Sequence, residues 1–152
     1  MKINVKRIPV EGEDYEGSEQ PEIMELRDAD VQFEQPIEYV LHAQLQGHAV
    51  LVTGRLRTEV TLRCSRCLRM FRQKLAVGQF VVLQPLEGED FVDLTPQIRE
   101  DIILELPQRA LCQPACKGLC PVCGKDLNDG VCGCKVSHED LRWQALNQLK
   151  LK

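Results

Sequence analysis

The clearest pattern along the chain lies in VLVTGRLRTEVTLR, residues 50–63, where apolar and polar positions alternate. Val50, Val52, Leu56, Val60 and Leu62 fall on one face, and Thr53, Arg55, Arg57, Glu59, Thr61 and Arg63 on the other. Successive side chains of a strand point to opposite faces, so this spacing predicts a long strand with one face buried. IEYVLHAQLQ before it reads as a partner strand, joined through Gly47 and His48, and FRQKLAVGQFVVLQP after it reads as a third. Three consecutive antiparallel strands make a meander, with CSRC at the tip between the second and third.

The flanks follow other rules. INV near the start predicts a short strand that ends near Pro9. Residues 11–22 are acidic, hold Gly12 and Gly17 and have few apolar side chains, which reads as a mobile loop. Residues 23–34 read as short extended pieces. DLTPQIREDIILELP predicts a helix over about 95–106, with Thr95 as N-cap and Pro96 at the first helical position. Ile98, Ile102 and Leu106 form its apolar stripe, and Pro107 ends it. A last helix is predicted from Ser137, with Leu141, Ala145 and Leu149 on its apolar face and Trp143 and Leu146 beside them. The sum is an α+β chain. An antiparallel, barrel-like β-meander with one packed helix occupies 1–107. A Cys-rich segment and terminal helix, 108–152, pack on it.

With 152 residues there is room for one domain, or one domain with a small appendage. Aromatic residues make up only 5%, so the core must be mainly aliphatic. No stretch approaches the roughly 18 consecutive apolar residues of a membrane helix. The basic residues near the start have no apolar run behind them, unlike a secretory signal. The expected location is therefore the cytoplasm, or an organelle of bacterial descent. Thiols stay reduced there, and paired Cys-x-x-Cys spacings read as metal ligands before disulfides.

The net charge of −4 conceals an asymmetry. Residues 11–34 contain ten acids and one base, whereas 55–74 contain seven bases and one acid. The basic set is Arg55, Arg57, Arg63, Arg66, Arg69, Arg72 and Lys74. The six arginines are candidate RNA contacts, because a guanidinium fork binds two phosphate oxygens. Structured RNA is read largely through backbone and shape, which such a face suits. The plainer reading is a solvated sheet face balanced by the acidic segment. Phe71 and Phe80 are the nearby candidates for base stacking, too few for sequence-specific reading of single strands.

Eight cysteines carry the most specific signal. CPVCG, residues 120–124, sets two sulfurs on a tight turn, with a glycine free to take positive φ. CSRCL, residues 64–68, has the spacing without the glycine. Cys112 and Cys116 suit one turn of chain, and Cys132-Gly133-Cys134 can bend to present both sulfurs. Structural zinc takes four thiolates, so eight divide into two sites. The favoured grouping is Cys64, Cys67, Cys112 and Cys116 in one, with Cys120, Cys123, Cys132 and Cys134 in the other. A rival joins Cys112, Cys116, Cys120 and Cys123, leaving Cys64 and Cys67 to Cys132 and Cys134. Catalytic zinc usually keeps an open position and uses histidine or carboxylate ligands. His42, His48 and His138 show no ligand spacing, and no His-Glu-x-x-His motif is present. Redox chemistry at Cys64 and Cys67, among Arg63, Arg66 and Arg69, is a weaker alternative. So is an iron–sulfur cluster.

These motifs together resemble a known family. CSRCL ends the central strand, DLTPQIREDIILELP follows, then CQPACKGLCPVCGKDLN with a trailing Cys-Gly-Cys, then RWQALNQL. The pattern is similar to the YceD family of large-subunit ribosomal RNA accumulation proteins, over about residues 37–150. The family often has Asp-Pro-Arg near the last helix, where this chain has Glu139, Asp140, Leu141 and Arg142. The resemblance implies a non-enzymatic role in synthesis, processing or accumulation of 23S ribosomal RNA and in ribosome assembly. The implied partners are ribosomal RNA or a large-subunit assembly intermediate, and ribosomal proteins; no membrane is implied. It brings no catalytic residues. Two other classes stay open: a module whose acidic segments hold a basic ribosomal protein, and a zinc–thiol redox sensor.

Overall fold

The computed structural model describes residues 1–134. The helix expected from Ser137 lies outside them. The described elements are β1 (Lys2–Asn4), β2 (Glu13–Glu19), β3 (Val31–Phe33), β4 (Ile37–Gln46), β5 (Ala49–Arg63), β6 (Met70–Pro85), β7 (Phe91–Asp93) and α1 (Thr95–Leu104). Single 3-10 turns occupy Val5–Arg7 and Pro21–Met24. Among these residues no helix is long and apolar enough to cross a membrane.

β4, β5 and β6 form the meander, all antiparallel. β5 is its spine. β6 pairs along the whole of one edge of β5, β4 takes the other edge as far as Arg57, and β3 takes over at Val60. β2 adds outside β4, and the sheet curls into a half-barrel. β1 and β7 pair separately as a two-stranded sheet.

The alternation in β5 decides which face is buried. Val50, Val52, Leu56, Thr58, Val60 and Leu62 are all buried, every one at an even position. β6 changes parity. Leu75 and Val77 are buried, then Phe80. Gly78 and Gln79 stand together opposite Arg55, where the register slips between Gly54 and Leu56. One added residue reverses every later side chain. This bulge lets both halves of β6 face the core. Ile98 and Ile102 of α1, with Ile3 and Val92 of the small sheet, join Leu41, Val52, Leu56 and Phe80 in one hydrophobic cluster.

Two local expectations need correction. Residues 13–19, inside the expected mobile loop, form β2, which pairs with β4 from Glu13↔Ala43 to Glu19↔Ile37. An edge strand needs only backbone pairing on one side, so acidic side chains can point to water. Tyr15 supplies the inward contact, packing against the core. Thr95 is also not the N-cap of α1. Leu94 holds that position without a side-chain bond, and Thr95 is the first helical residue. The Thr95 N–H donates to Asp93 Oδ1 at 2.9 Å, and its hydroxyl accepts from the N-terminal amine. The hydroxyl is therefore taken by the chain's start, and Asp93 serves the helix instead. α1 ends at Leu104, so Leu106 packs on the core from beyond the helix.

Candidate metal centres

The eight cysteines converge into two sets of four, Cys64–Cys67–Cys112–Cys116 and Cys120–Cys123–Cys132–Cys134. Within each set the sulfurs lie within 4.8 Å of one another. We call these site A and site B. Cys64 and Cys116 sulfurs are 3.8 Å apart, and Cys67 and Cys112 sulfurs 3.7 Å apart. A disulfide needs about 2.05 Å. Arms of about 2.3 Å around a tetrahedral zinc give sulfur–sulfur edges of about 3.8 Å. The thiol geometry therefore fits a four-coordinate ion, and these groups could hold one each.

Each site is built on the same turn. In CSRCL the N–H of Leu68 donates to Cys64 C=O at 3.0 Å, and that of Cys64 to Arg69 C=O at 2.9 Å. In CPVCG the N–H of Gly124 donates to Cys120 C=O at 2.9 Å, and that of Cys120 to Lys125 C=O at 2.8 Å. Such turns aim backbone N–H groups at the sulfurs, as Val122 N–H is aimed at Cys120 Sγ, 3.4 Å away. Burial raises the Cys64 thiol, but the N–H groups of Cys112, Cys67 and Arg66 outweigh it and hold the pKa at about 6. The N–H groups of Cys123 and Val122 likewise bring Cys120 to about 6. Other thiols of the same sets shift the opposite way, Cys67 and Cys112 in site A and Cys134 in site B. Burial and the neighbouring Cys67 push Cys112 up to about 12, and the Cys123 thiol and burial do the same to Cys134. Four thiolates cannot share so small a volume unless a cation compensates them, and a divalent ion is such a cation.

Site A ties distant parts of the chain together. Cys64 and Cys67 come from the β5–β6 tip, Cys112 and Cys116 from the chain after α1. Cys64, Cys67 and Cys116 are buried in a small cluster of their own, which Phe71 joins to the main core. Ser65 anchors the connection, its N–H and hydroxyl both donating to Ala110 C=O at 2.8 and 3.0 Å. Site B is local and more open, with Cys123 exposed.

The six arginines do not share one free surface. Arg63 Nε lies 2.6 Å from Asp30 Oδ1 as an ion contact. Arg66 donates to Cys116 C=O at 2.7 Å. Arg69 reaches Asp126 at 3.0 Å and Asp129 at 3.3 Å, and Arg72 stands 3.7 Å from Glu59. Among the described residues, Arg55 and Arg57 alone of the six lack such a partner. They sit on the outer face of β5: Arg57 lines an open groove of about 640 Å³ with Ser18, Glu38, Glu59 and Lys74, and Arg55 lines a second groove of about 570 Å³ that Arg57 also borders. Phe80 is fully buried and Phe71 half-buried, so neither offers an open stacking surface. Sequence reasoning missed Asn128, Asp126, Asp129 and Gly118, which join the two sites. For Asp126, Asn128 and Asp129 the signal was a turn-forming run, KDLNDG; Gly118 had none beyond being a glycine between two cysteines.

A family model described as large ribosomal RNA subunit accumulation protein YceD matches residues 52–150, more than half of the chain. The chain belongs to the YceD family. An uncharacterized protein of Mycobacterium tuberculosis is 27% identical over 124 residues, covering 72% of this chain. The chain spans 59% of the length of that relative. Two plant proteins match shorter stretches, each named large ribosomal RNA subunit accumulation protein YCED homolog 1, chloroplastic. The one from Arabidopsis thaliana is 36% identical over 59 residues, 39% of this chain and 18% of that protein. The one from Zea mays is 47% identical over 45 residues, 29% of this chain and 15% of that protein. No solved structure matches the chain. The YceD match begins inside β5 and takes in all eight cysteines, so it spans both four-cysteine sets.

Proposed function

We propose that this YceD protein is a non-enzymatic factor in the accumulation of large-subunit ribosomal RNA, acting during ribosome assembly. Each four-cysteine set holds one structural zinc ion; the ion in site A staples the β5–β6 tip to the chain that follows α1, and the ion in site B closes the local loop beyond it. The observation that carries this reading is site A itself. It brings four buried or half-buried thiols around one point, a complete four-ligand set of the kind that structural zinc takes. Arg55 and Arg57, with Lys74 beside them, are the bases offered to RNA phosphate; Arg63, Arg66, Arg69 and Arg72 serve mainly to hold the fold.

Binding of purified protein to large-subunit RNA across a salt series tests the RNA contact. Affinity should fall with salt, and Arg55→Glu/Arg57→Glu should abolish specific retention, because phosphate contacts release counterions. Unchanged binding by that variant overturns the arginine assignment. A second reading is favoured by β2, an edge strand whose Glu13, Asp14, Glu16 and Glu19 run along the sheet margin. A basic ribosomal protein would meet that margin instead. It would be retained by the double variant and lost in Asp14→Lys/Glu16→Lys.

A further inference from the structure

The two cysteine sets are joined by the loop that site B closes. Cys120 and Cys123 stand before KDLNDG, residues 125–130, and Cys132 and Cys134 after it. That loop folds back against site A. Leu127 N–H donates to Gly118 C=O at 2.9 Å, and Leu119 N–H to Arg66 C=O at 3.1 Å. Arg69, from the site A tip, reaches both Asp126 and Asp129.

Asn128 makes the decisive contact. Its side-chain Nδ2 lies 3.4 Å from Cys116 Sγ, a site A sulfur. Its Oδ1 accepts from Lys117 N–H at 2.8 Å. The acceptor end of the amide is thereby committed to Lys117, so the donor end must face the sulfur. The second N–H of the same group goes to Asp126 Oδ1 at 2.6 Å, and Asn128 N–H binds that oxygen too, at 2.9 Å. The loop thus fixes an amide donor at one of site A's four sulfurs, where it can stabilise a thiolate.

We infer that Asn128 is a positioning residue for site A and that it makes metal binding at the two sites cooperative. This rests on the reading that both sets hold zinc. An ion in site B closes the loop, the closed loop delivers the Asn128 amide to Cys116, and the thiolate set of site A holds its ion more tightly. Linkage makes the effect mutual: an ion in site A must strengthen site B by the same factor.

The test uses the full chain, loaded with zinc or cobalt(II) and titrated with a competing chelator. Cobalt reports each site through its thiolate charge-transfer absorption. The site A spectrum is isolated as the difference from Cys64→Ser/Cys67→Ser. Asn128→Ala should weaken site A by about 10–100-fold, the usual cost of losing a partner of a ligand. It should also shift the site A charge-transfer band to lower energy, since the sulfur loses a donor. Asn128→Asp keeps the oxygen that accepts from Lys117 and removes the N–H donors. It also sets a carboxylate beside Cys116 and Asp126, so it should lose affinity at least as much as Asn128→Ala; the shift of the charge-transfer band separates loss of the sulfur's donor from mere loosening of the loop. Cys132→Ser/Cys134→Ser, which removes site B, should weaken site A by a similar factor. Adding Asn128→Ala to it should then cost little more, because both changes break one route. Site A affinity within twofold of wild type in Asn128→Ala overturns the inference, as do independent, multiplying effects. Fewer than two ions in the wild-type protein overturns the zinc reading itself, and the coupling with it.

Discussion

Leu68 and Gly124 occupy the same position in two copies of one turn, and both take left-handed φ, +60° and +73°. Glycine adopts that conformation freely, whereas a leucine there costs roughly 1–2 kcal/mol. Leu68 is half-exposed, at 53%, so its side chain contributes little packing in return. Leu68→Gly should therefore stabilise the zinc-loaded protein. The gain should be about 0.5–1 kcal/mol, since glycine also loosens the unfolded chain. Gly124→Ala should do the reverse, costing about 1 kcal/mol with no clash, because nothing lies within 4 Å of the added carbon. Denaturant midpoints of the two variants, measured in saturating zinc, check both signs.

Legibility in the sequence followed side-chain pattern. The meander could be read because Val50 to Leu62 alternate against a buried face, and the cysteine spacings could be read because metal geometry demands them. β2 escaped because an edge strand is held by backbone pairing, which leaves Asp14 and Glu16 free to be acidic. CSRCL looked the weaker turn because Leu68 does not announce positive φ, yet its hydrogen bonds match those of CPVCG. The arginines formed one face only on paper. Alternation places Arg55, Arg57 and Arg63 on one side of β5, but it cannot reveal Asp30 from the β3 approach or Asp126 and Asp129 from a loop far along the chain. Asn128 carries no local sign of its role, because its sulfur contact depends on how site B folds against site A.

Gly118, between Cys116 and Cys120, lies against Arg66 of the CSRC turn. It has φ +75°, and an added Cβ would lie 3.0 Å from Arg66 C=O and 3.2 Å from Arg66 Cβ. Backbone on one side and a fixed side chain on the other leave no easy relief. Gly118→Ala should cost about 2 kcal/mol or more, combining the left-handed penalty with the crowding. Gly124→Ala carries only the first of these. A larger midpoint loss for Gly118→Ala than for Gly124→Ala is the expected result, and equal losses would show that the contact with Arg66 is soft.

Asp93 joins the start of the chain to α1. The Thr95 hydroxyl, outweighing some burial and helped by the Thr95 N–H and the N-terminal amine, holds its carboxyl below the usual 3.8. A depressed folded pKa contributes stability above the unfolded pKa and loses it as pH falls through the folded one. Thr95→Val removes the hydroxyl and should return the carboxyl towards 3.8. The variant should then be less stable than wild type at pH 7, with the difference shrinking below pH 4. Carboxyl chemical shifts followed through an acid titration, together with denaturant midpoints at both pH values, measure the two halves of this expectation.

Metal removal should unfold the tip and spare the sheet. The main core runs through Leu41, Val52, Leu56, Val77 and Phe80, with α1 against it, and contains no cysteine. The site A thiols form a separate cluster that, among the described residues, shares Phe71 with this core. A chelator should therefore strip hydrogen-exchange protection from residues 64–69 and 110–134, whose hydrogen bonds depend on the converged thiols. Amides of Val52, Leu56 and Val77, inside the β4–β5–β6 ladder, should exchange as slowly as before. If those amides lose protection together with Cys64, the ions support the whole fold, and the staple extends well beyond the tip.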